Sequence, residues 1–440
     1  MLIRRLLLLS ITLILLLAVL TTAEAQPISM TIEGPSAAAP IAVSGLKNLG
    51  GDESQELSSH FVATLSRNLQ LSGYFKVINP HAYIEDPQAS GYDLGQFNFS
   101  DWSSINAEFL VKGAVSIKGS EVDLVAMLFD VGSQRRLMGK RFTGGPNDVR
   151  EMARRFADAV IGAYTGTRGP CDTKLAFVST RGGRFKEIYV SYFDGDGLFQ
   201  VTNNPTINLF PKLDHSVTHL LYLSYKSFQP ALYLVNLSAK SEVKITSDHG
   251  TMVGGALTPD GSQIVAAIEH NGLTNLYLLD SSGTEIRALT SSPSINVGPA
   301  VSNDGTQVAF TSDRSGRPQI YVMPIGGGEA QRITYSGSYN TSPAFSPDGS
   351  KIAYESRDGG RFDIWEIPSS GGTPVRLTNG GGSNEAPCWS PDGRYIAFNS
   401  TRSGQSRIYL MLASNGNIIS ALTEDNGDDS SPAWSWWLGD

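Results

Sequence analysis

From Lys174 onward, short runs of alternating apolar and polar residues are separated by turn residues, and the pattern returns every 44 residues. An apolar–aromatic pair marks the register at Ile188-Tyr189, Leu232-Tyr233, Leu276-Tyr277, Ile320-Tyr321, Ile364-Trp365 and Ile408-Tyr409. Threonines keep the same step at Thr202, Thr246, Thr290, Thr334 and Thr378, with Thr423 one residue late. Asp-Gly turns at Asp260-Gly261, Asp304-Gly305, Asp348-Gly349 and Asp392-Gly393 are a third mark in that register. Inside one unit, Ala344-Phe345-Ser346 leads into the turn Pro347-Asp348-Gly349, where proline presets φ and glycine accepts a positive one. Lys351 to Ser356 then alternates with Ile352 and Tyr354 on one face, Phe362 to Ile367 returns, and Val375 to Thr378 makes a fourth strand. Four short strands in each unit of this length predict the blades of a β-propeller. No stripe of 3.6-residue period runs through the unit, which excludes a helical solenoid.

The ends of the array predict how the ring closes. Lys174-Leu175-Ala176-Phe177 matches the second strand of a unit with no first strand before it, and Ser431-Pro432-Ala433-Trp434-Ser435 matches a first strand with nothing after. Each supplies what the other lacks, so the ring should have six blades over residues 169–440, with the C-terminal strand closing the first blade. Closure removes the free sheet edges that invite aggregation.

Residues 41–168 predict a small α/β domain. Ile41 to Val43 and Phe75 to Ile78 read as strands, and Phe109 to Ile117 with Glu121 to Phe129 as a hairpin across Lys118-Gly119-Ser120. Arg136 to Phe142 is a further strand. Asp52 with Gln55 resembles a capping box ahead of Leu57, Phe61, Leu65 and Leu69, and Gly73 ends that helix. Asp148 with Glu151 should cap a second helix with Val149, Met152, Phe156, Val160 and Tyr164 on its buried stripe. Gly166 to Gly169 is the expected junction with the ring.

The N-terminus predicts an address. Arg4 and Arg5 precede an uncharged apolar run from Leu6 to Leu20, and Ala23-Glu24-Ala25 forms an A-x-A site. Residues 1–25 therefore read as a signal peptide cleaved after Ala25. The run is shorter than the roughly 20 residues a membrane span requires. Cleavage takes the formal charge from −8 to −9, since two arginines and one glutamate leave. A mildly acidic chain lacks the basic stripe of a nucleic-acid binder. Export permits a disulfide between Cys171 and Cys388, although two unpaired buried thiols are the favoured reading. Residues 26–40 stand apart, with alternating Ile28, Met30 and Ile32 followed by Pro35 and three alanines. They read either as an edge strand with a linker or as a detachable strand that docks on a partner's sheet edge.

Chemistry is harder to find. A G-x-S-x-G elbow and the zinc spacings of histidine are both absent. His215 and His219 lie four apart in a turn and a strand rather than on a helix, so no metal or other cofactor is expected. Each Asp-Gly turn offers one carboxylate where calcium needs six to eight oxygens. Arg181, Arg314, Arg357 and Arg402 share one blade position and read as structural caps or ion pairs before ligand contacts. What remains is the ring face built by the loops leading into each inner strand. Its candidate contact residues are Asn208, His249, Thr251, Asn296, Tyr339, Thr341, Glu385 and Ser430. Such polar, adaptable groups suit recognition of a peptide or protein better than acid–base catalysis.

A signal peptide, a small α/β domain and a six-bladed ring with S-P-A-W-S-P-D-G-type repeats together resemble the TolB family of periplasmic propeller proteins. The resemblance spans nearly the whole chain. It is carried by Ala344-Phe345-Ser346-Pro347-Asp348-Gly349-Ser350-Lys351-Ile352-Ala353, by Arg317-Pro318-Gln319-Ile320-Tyr321 and by the closing Ser431-Pro432-Ala433-Trp434-Ser435. It implies a non-enzymatic, monomeric adaptor in the periplasm that binds the peptidoglycan-associated lipoprotein Pal on the channel face. It implies TolA binding through the segment after cleavage, here Gln26, Pro27, Ile28, Ser29, Met30, Thr31, Ile32 and Glu33. Contacts with outer-membrane proteins and bacteriocins, and roles in outer-membrane integrity and constriction at division, are implied in the same way. Two repeats depart from the pattern: Leu213-Asp214-His215-Ser216 replaces one Pro-Asp-Gly turn, and Gly254-Gly255-Ala256-Leu257 replaces one Pro-Ala-Phe. An enzyme working in the channel and a peptidoglycan-binding scaffold are the alternative readings.

Overall fold

The computed structural model describes residues 38–51, 54–247, 249–424 and 426–438. The expected leader, the segment Gln26 to Glu33 and the Asp52 cap lie outside these residues. Six four-stranded sheets follow one another along the chain, each antiparallel and in sequence order except one. The exception closes the ring: Asp429–Trp434 pairs with Lys174–Ser179, Asp429 opposite Ser179 and Trp434 opposite Leu175. Arg181 Nη2 donates to both carboxylate oxygens of the fully buried Asp429, at 3.0 Å each. Trp434 Nε1 donates to Thr173 Oγ1 at 2.8 Å across the same seam.

The repeated threonines tie the strands within a blade. Thr202, Thr290, Thr334, Thr378 and Thr423 each accept a backbone N–H of their own blade's third strand, at 2.8 to 3.1 Å. Thr246 does not, because the outer strand of that blade reaches Ile245 and pairs it directly with Leu232. Each inner strand carries a register shift. In five of them a residue at positive φ (Phe210, Gly298, Ser342, Ala386 or Ser431) precedes a proline. These strands are the channel edges of their sheets, where a proline leaves no amide without a partner. The degenerate turn of the second blade is satisfied by Asp214 itself, whose carboxylate accepts from Thr218 N, His219 N and Ser216 Oγ at 2.9 to 3.0 Å.

The N-terminal sheet runs Phe75–Val77, Ala39–Val43, Phe109–Lys118, Glu121–Asp130, Arg135–Gly144, parallel in its first half and antiparallel in its second. Ala39 and Pro40, grouped by the sequence with the preceding segment, belong to the first strand. Helices α1 (Ser54–Leu71) and α2 (Val149–Thr165) cover one face, with Phe61 and Phe156 in contact at 6.2 Å between centroids. The expected stripes are buried, although Tyr164 is only partly so. Asp148 stands at the N-cap of α2 as expected, but its side chain makes no capping bond there: it ends a 3-10 turn over Pro146–Asp148 and its carboxylate accepts from Gly145 N instead. A short helix at Phe99–Ser103 escaped the sequence reading; its Trp102 covers the other sheet face.

The domain sits on the ring across the closing seam. One apolar cluster joins Phe61, Leu65, Phe156 and Ile161 to Leu175 and Phe193 of the first blade and Tyr395, Ile408 and Leu410 of the sixth. Buried Arg154 donates to Asp194 at 2.9 Å and Asp196 at 2.8 Å and lies 3.7 Å from the Tyr192 ring. Tyr395 Oη donates to Ser72 O at 2.8 Å, and Cys171 N donates to Asp158 at 2.7 Å. Both cysteines are free thiols. Because Arg181→Ala leaves Asp429 buried without its cation, a loss of roughly 3 to 5 kcal/mol is expected. Urea denaturation reads this as a lower midpoint, and an unchanged midpoint would show that the seam does not need the pair.

Candidate functional site

The ring has two unlike faces. The α/β domain contacts the face made by the turns after inner strands and by the loops between third and fourth strands, at Arg394, Tyr395, Asp194 and Asp196. The opposite face carries the loops into the inner strands and the loops between second and third strands. These two loop sets are tied together: Tyr225 N donates to Ile207 O at 3.2 Å, Asp313 N to Ile295 O at 3.3 Å and Thr401 N to Ser383 O at 3.1 Å. The eight candidate residues belong to this free end of the blades.

They do not act as one group. Thr341, Glu385 and Ser430 occupy the same position in the fifth, sixth and first blades, and all three are half-buried. Thr341 lines the upper lumen and its hydroxyl accepts from Thr311 Oγ1 at 3.1 Å. Tyr339 is exposed and packs edge-on against Phe362 at 5.9 Å. Thr251 is half-buried at the head of the third inner strand. Asn208 and Asn296 are not surface contacts, for both are fully buried. Their amides bridge to the preceding blade, Asn208 to Glu187 at 2.9 Å and Asn296 to Asn275 at 3.3 Å. Asn340 and Asn384 repeat the bond, to Gln319 and Asp363. His249 faces away from the channel, stacked on Tyr277 at 5.0 Å and paired with Glu285.

The four repeated arginines divide. Arg314 and Arg402 each donate to the staple asparagine of their own blade at 2.8 Å and Arg181 to Asp429, whereas Arg357 is exposed beside Phe362. His219 bonds Asp214 at 3.1 Å while His215 stacks on Trp436 at 4.6 Å, so the two histidines face different groups. Among the described residues no set of His, Cys, Asp and Glu is grouped to hold a metal ion.

A set of exposed apolar side chains is the feature that the sequence reading missed. Ile207, Phe210, Tyr225 and Phe228 of the second blade are exposed on the free face, with Ile295 and Tyr335 on later loops. Phe228 is fully exposed and Tyr335 74% exposed, more than isolated surface residues require. The signal was present in Tyr225-Lys226-Ser227-Phe228, which stands where other blades carry Arg-Gly or Arg-Ser-Gly turns.

Glu355 lies beside this face with Ala386 N donating to it at 2.7 Å, tying the fifth blade to the sixth. Burial, with the charge of Glu385 adding and the Ala386 bond opposing, pushes its carboxyl up to about 7. The neutral acid is therefore the form that the fold favours. Its contribution is complete below the unfolded value of about 4.3 and is lost as pH rises through the folded value, roughly 3 kcal/mol in all. Melting temperatures from about pH 5 to 8 should fall more steeply in the parent than in Glu355→Gln. Parallel curves for the two proteins would refute a titrating Glu355.

The match to a family model for the TolB beta propeller domain covers residues 162–438, and that for the TolB amino-terminal domain covers residues 29–137. A Tol-Pal system protein TolB from Desulfosudis oleivorans is 38% identical over 234 residues, 53% of this chain and 53% of that protein. Its namesake from Syntrophus aciditrophicus is 36% identical over 213 residues, 47% of each. The chain thus matches about half the length of these curated relatives. The crystal structure of TolB from Acinetobacter baumannii superposes with a TM-score of 0.79 over 91% of this chain and 98% of that one, at 24% identity, which speaks to the fold. With one model spanning the ring and a second the domain before it, the chain belongs to the TolB family.

Proposed function

We propose that this protein is a non-enzymatic adaptor of the Tol–Pal system in the periplasm, with one binding surface on the propeller and a second in the segment Gln26 to Glu33. The observation that carries the reading is the set of exposed apolar side chains on the ring face that the α/β domain leaves free. Aromatic side chains with polar neighbours are the composition of protein-binding surfaces. The partner on this face would be the lipoprotein Pal, with Tyr339, Thr341, Glu385 and Ser430 near the channel and Phe228 and Tyr335 farther out. Thr251 stays with this set as a candidate at the channel mouth.

The alternating Ile28, Met30 and Ile32 support strand addition to a TolA sheet edge, where main-chain bonds give affinity and alternate side chains give specificity. No described helix is long and apolar enough to cross a membrane, so attachment to the envelope would run through the partners. Coupling of the two surfaces would let Pal and TolA bias one another's affinity reciprocally. Outer-membrane integrity and constriction at division would follow from that exchange, and bacteriocins and outer-membrane proteins could compete for the ring face.

Co-purification from solubilised envelopes of the host tests both surfaces. The parent should recover a Pal-like lipoprotein and a TolA-like protein, and a chain lacking residues 26–33 should keep the first and lose the second. Phe228→Ser with Tyr335→Ser should weaken lipoprotein recovery by about tenfold or more, a loss of about 1.4 kcal/mol. Full recovery by the double variant would remove these side chains from the interface, and recovery of neither partner by the parent would refute the adaptor reading.

A further inference from the structure

One level of the channel breaks the symmetry of the ring. The position two residues after the positive-φ residue, or after Gly254 in the third blade, is occupied, blade by blade, by Lys212, Ala256, Ala300, Ala344, Cys388 and Ala433. All six line the lower chamber of the lumen, which encloses about 180 Å³. Lys212 also reaches the upper chamber, of about 280 Å³, where it is the one charged residue among the described lining. Five small side chains keep the lumen open, and the sixth puts an amine into it.

Among the described residues no carboxylate is bonded to that amine. Its ammonium makes no hydrogen bond or ion pair to any described residue. Asp214 lines the lower chamber too, but its carboxylate is engaged by Thr218, His219 and Ser216 rather than by the amine. The Cys388 thiol lies close enough to interact, but burial pushes it up to about 12 and so keeps it neutral. His215 lines the lower chamber against Trp436 and carries no negative charge. Prolines 211, 299, 343 and 387 wall the upper chamber and offer no N–H. Burial lowers the lysine's own proton affinity, the expected response of a cation without a partner. Lys212 is half-buried, so its ammonium gives up part of its water at that wall, a cost that a joining anion offsets.

We infer that the lumen is a binding site for one oxyanion, a carboxylate or a phosphate on a slender body, with Lys212 as its counter-ion. The amine at the junction of the two chambers draws the anion to that level, and the five small residues leave room for it. Thr341 and Phe210 border both this lumen and the outer face proposed for protein partners, but Lys212 belongs to the lumen alone, so its substitution tests the anion site separately.

The test uses the whole chain with inorganic phosphate and sodium hexanoate as probes, each against chloride at matched ionic strength. Thermal melting is read across a concentration series, because a general salt effect acts on parent and variants alike. Lys212→Ala places there the residue that four of the other five blades carry and should fold with no loss of melting temperature in chloride. The parent should show a saturable rise with one probe or both, and Lys212→Ala should lose it. Ala300→Phe, which keeps the lysine but fills the lumen, should weaken it at least about tenfold. A response to phosphate alone or to hexanoate alone assigns the oxyanion class. Equal responses in parent and Lys212→Ala, or none in the parent with either probe, would overturn the site.

Discussion

The rest of the structure depends on the antiparallel pairing of Asp429–Trp434 with Lys174–Ser179. Without it the first blade would present a bare edge to the channel and the sixth would lose its neighbour on the closing side, leaving the ring open. The Arg181–Asp429 pair makes this seam unlike the others. Elsewhere an asparagine fills the Asp429 position or is replaced by Met252, and a neutral amide does the stapling. The α/β domain reinforces the same place, because its helices bury apolar side chains against both the first and the sixth blade. A domain docked on a single blade would contribute nothing to closure; this one spans the join.

Much of this was legible because repetition multiplies weak signals. A single Ile-Tyr pair or Asp-Gly turn says little, but marks repeated at one step define blades, strand order and the manner of closure. The α/β domain was legible for a different reason, since Phe61, Leu65, Phe156 and Val160 follow the helical period and are fully buried. Phe99–Ser103 was missed because five residues are too few to show a period. The capping bond assigned to Asp148 failed because a 3-10 turn in front of α2 draws the same carboxylate to Gly145.

The candidate site was less legible, and the asparagines show why. Asn208 and Asn296 look like loop residues in sequence, since nothing local distinguishes an amide facing water from one facing the next blade. Burial of an amide is a tertiary fact, and here the partners lie 21 residues back along the chain, at Glu187 and Asn275. Departures from the repeat were the more informative signal. Phe228 where a glycine turn is usual, Asp214 where a serine is usual and Lys212 where a small residue is usual each mark something that the ring alone does not require.

The seam also sets an order of events. Arg181 and Asp429 are 248 residues apart, so the first blade cannot be completed until the whole ring has been made. Contacts this distant are slow to form, because loop closure must be achieved before they contribute. Five blades can assemble as their hairpins arrive, each from strands adjacent in sequence, while the first waits with an unpaired edge. A chain stopped short of its last dozen residues would hold most of its native contacts and still expose that edge, the form of the molecule most open to pairing with another copy.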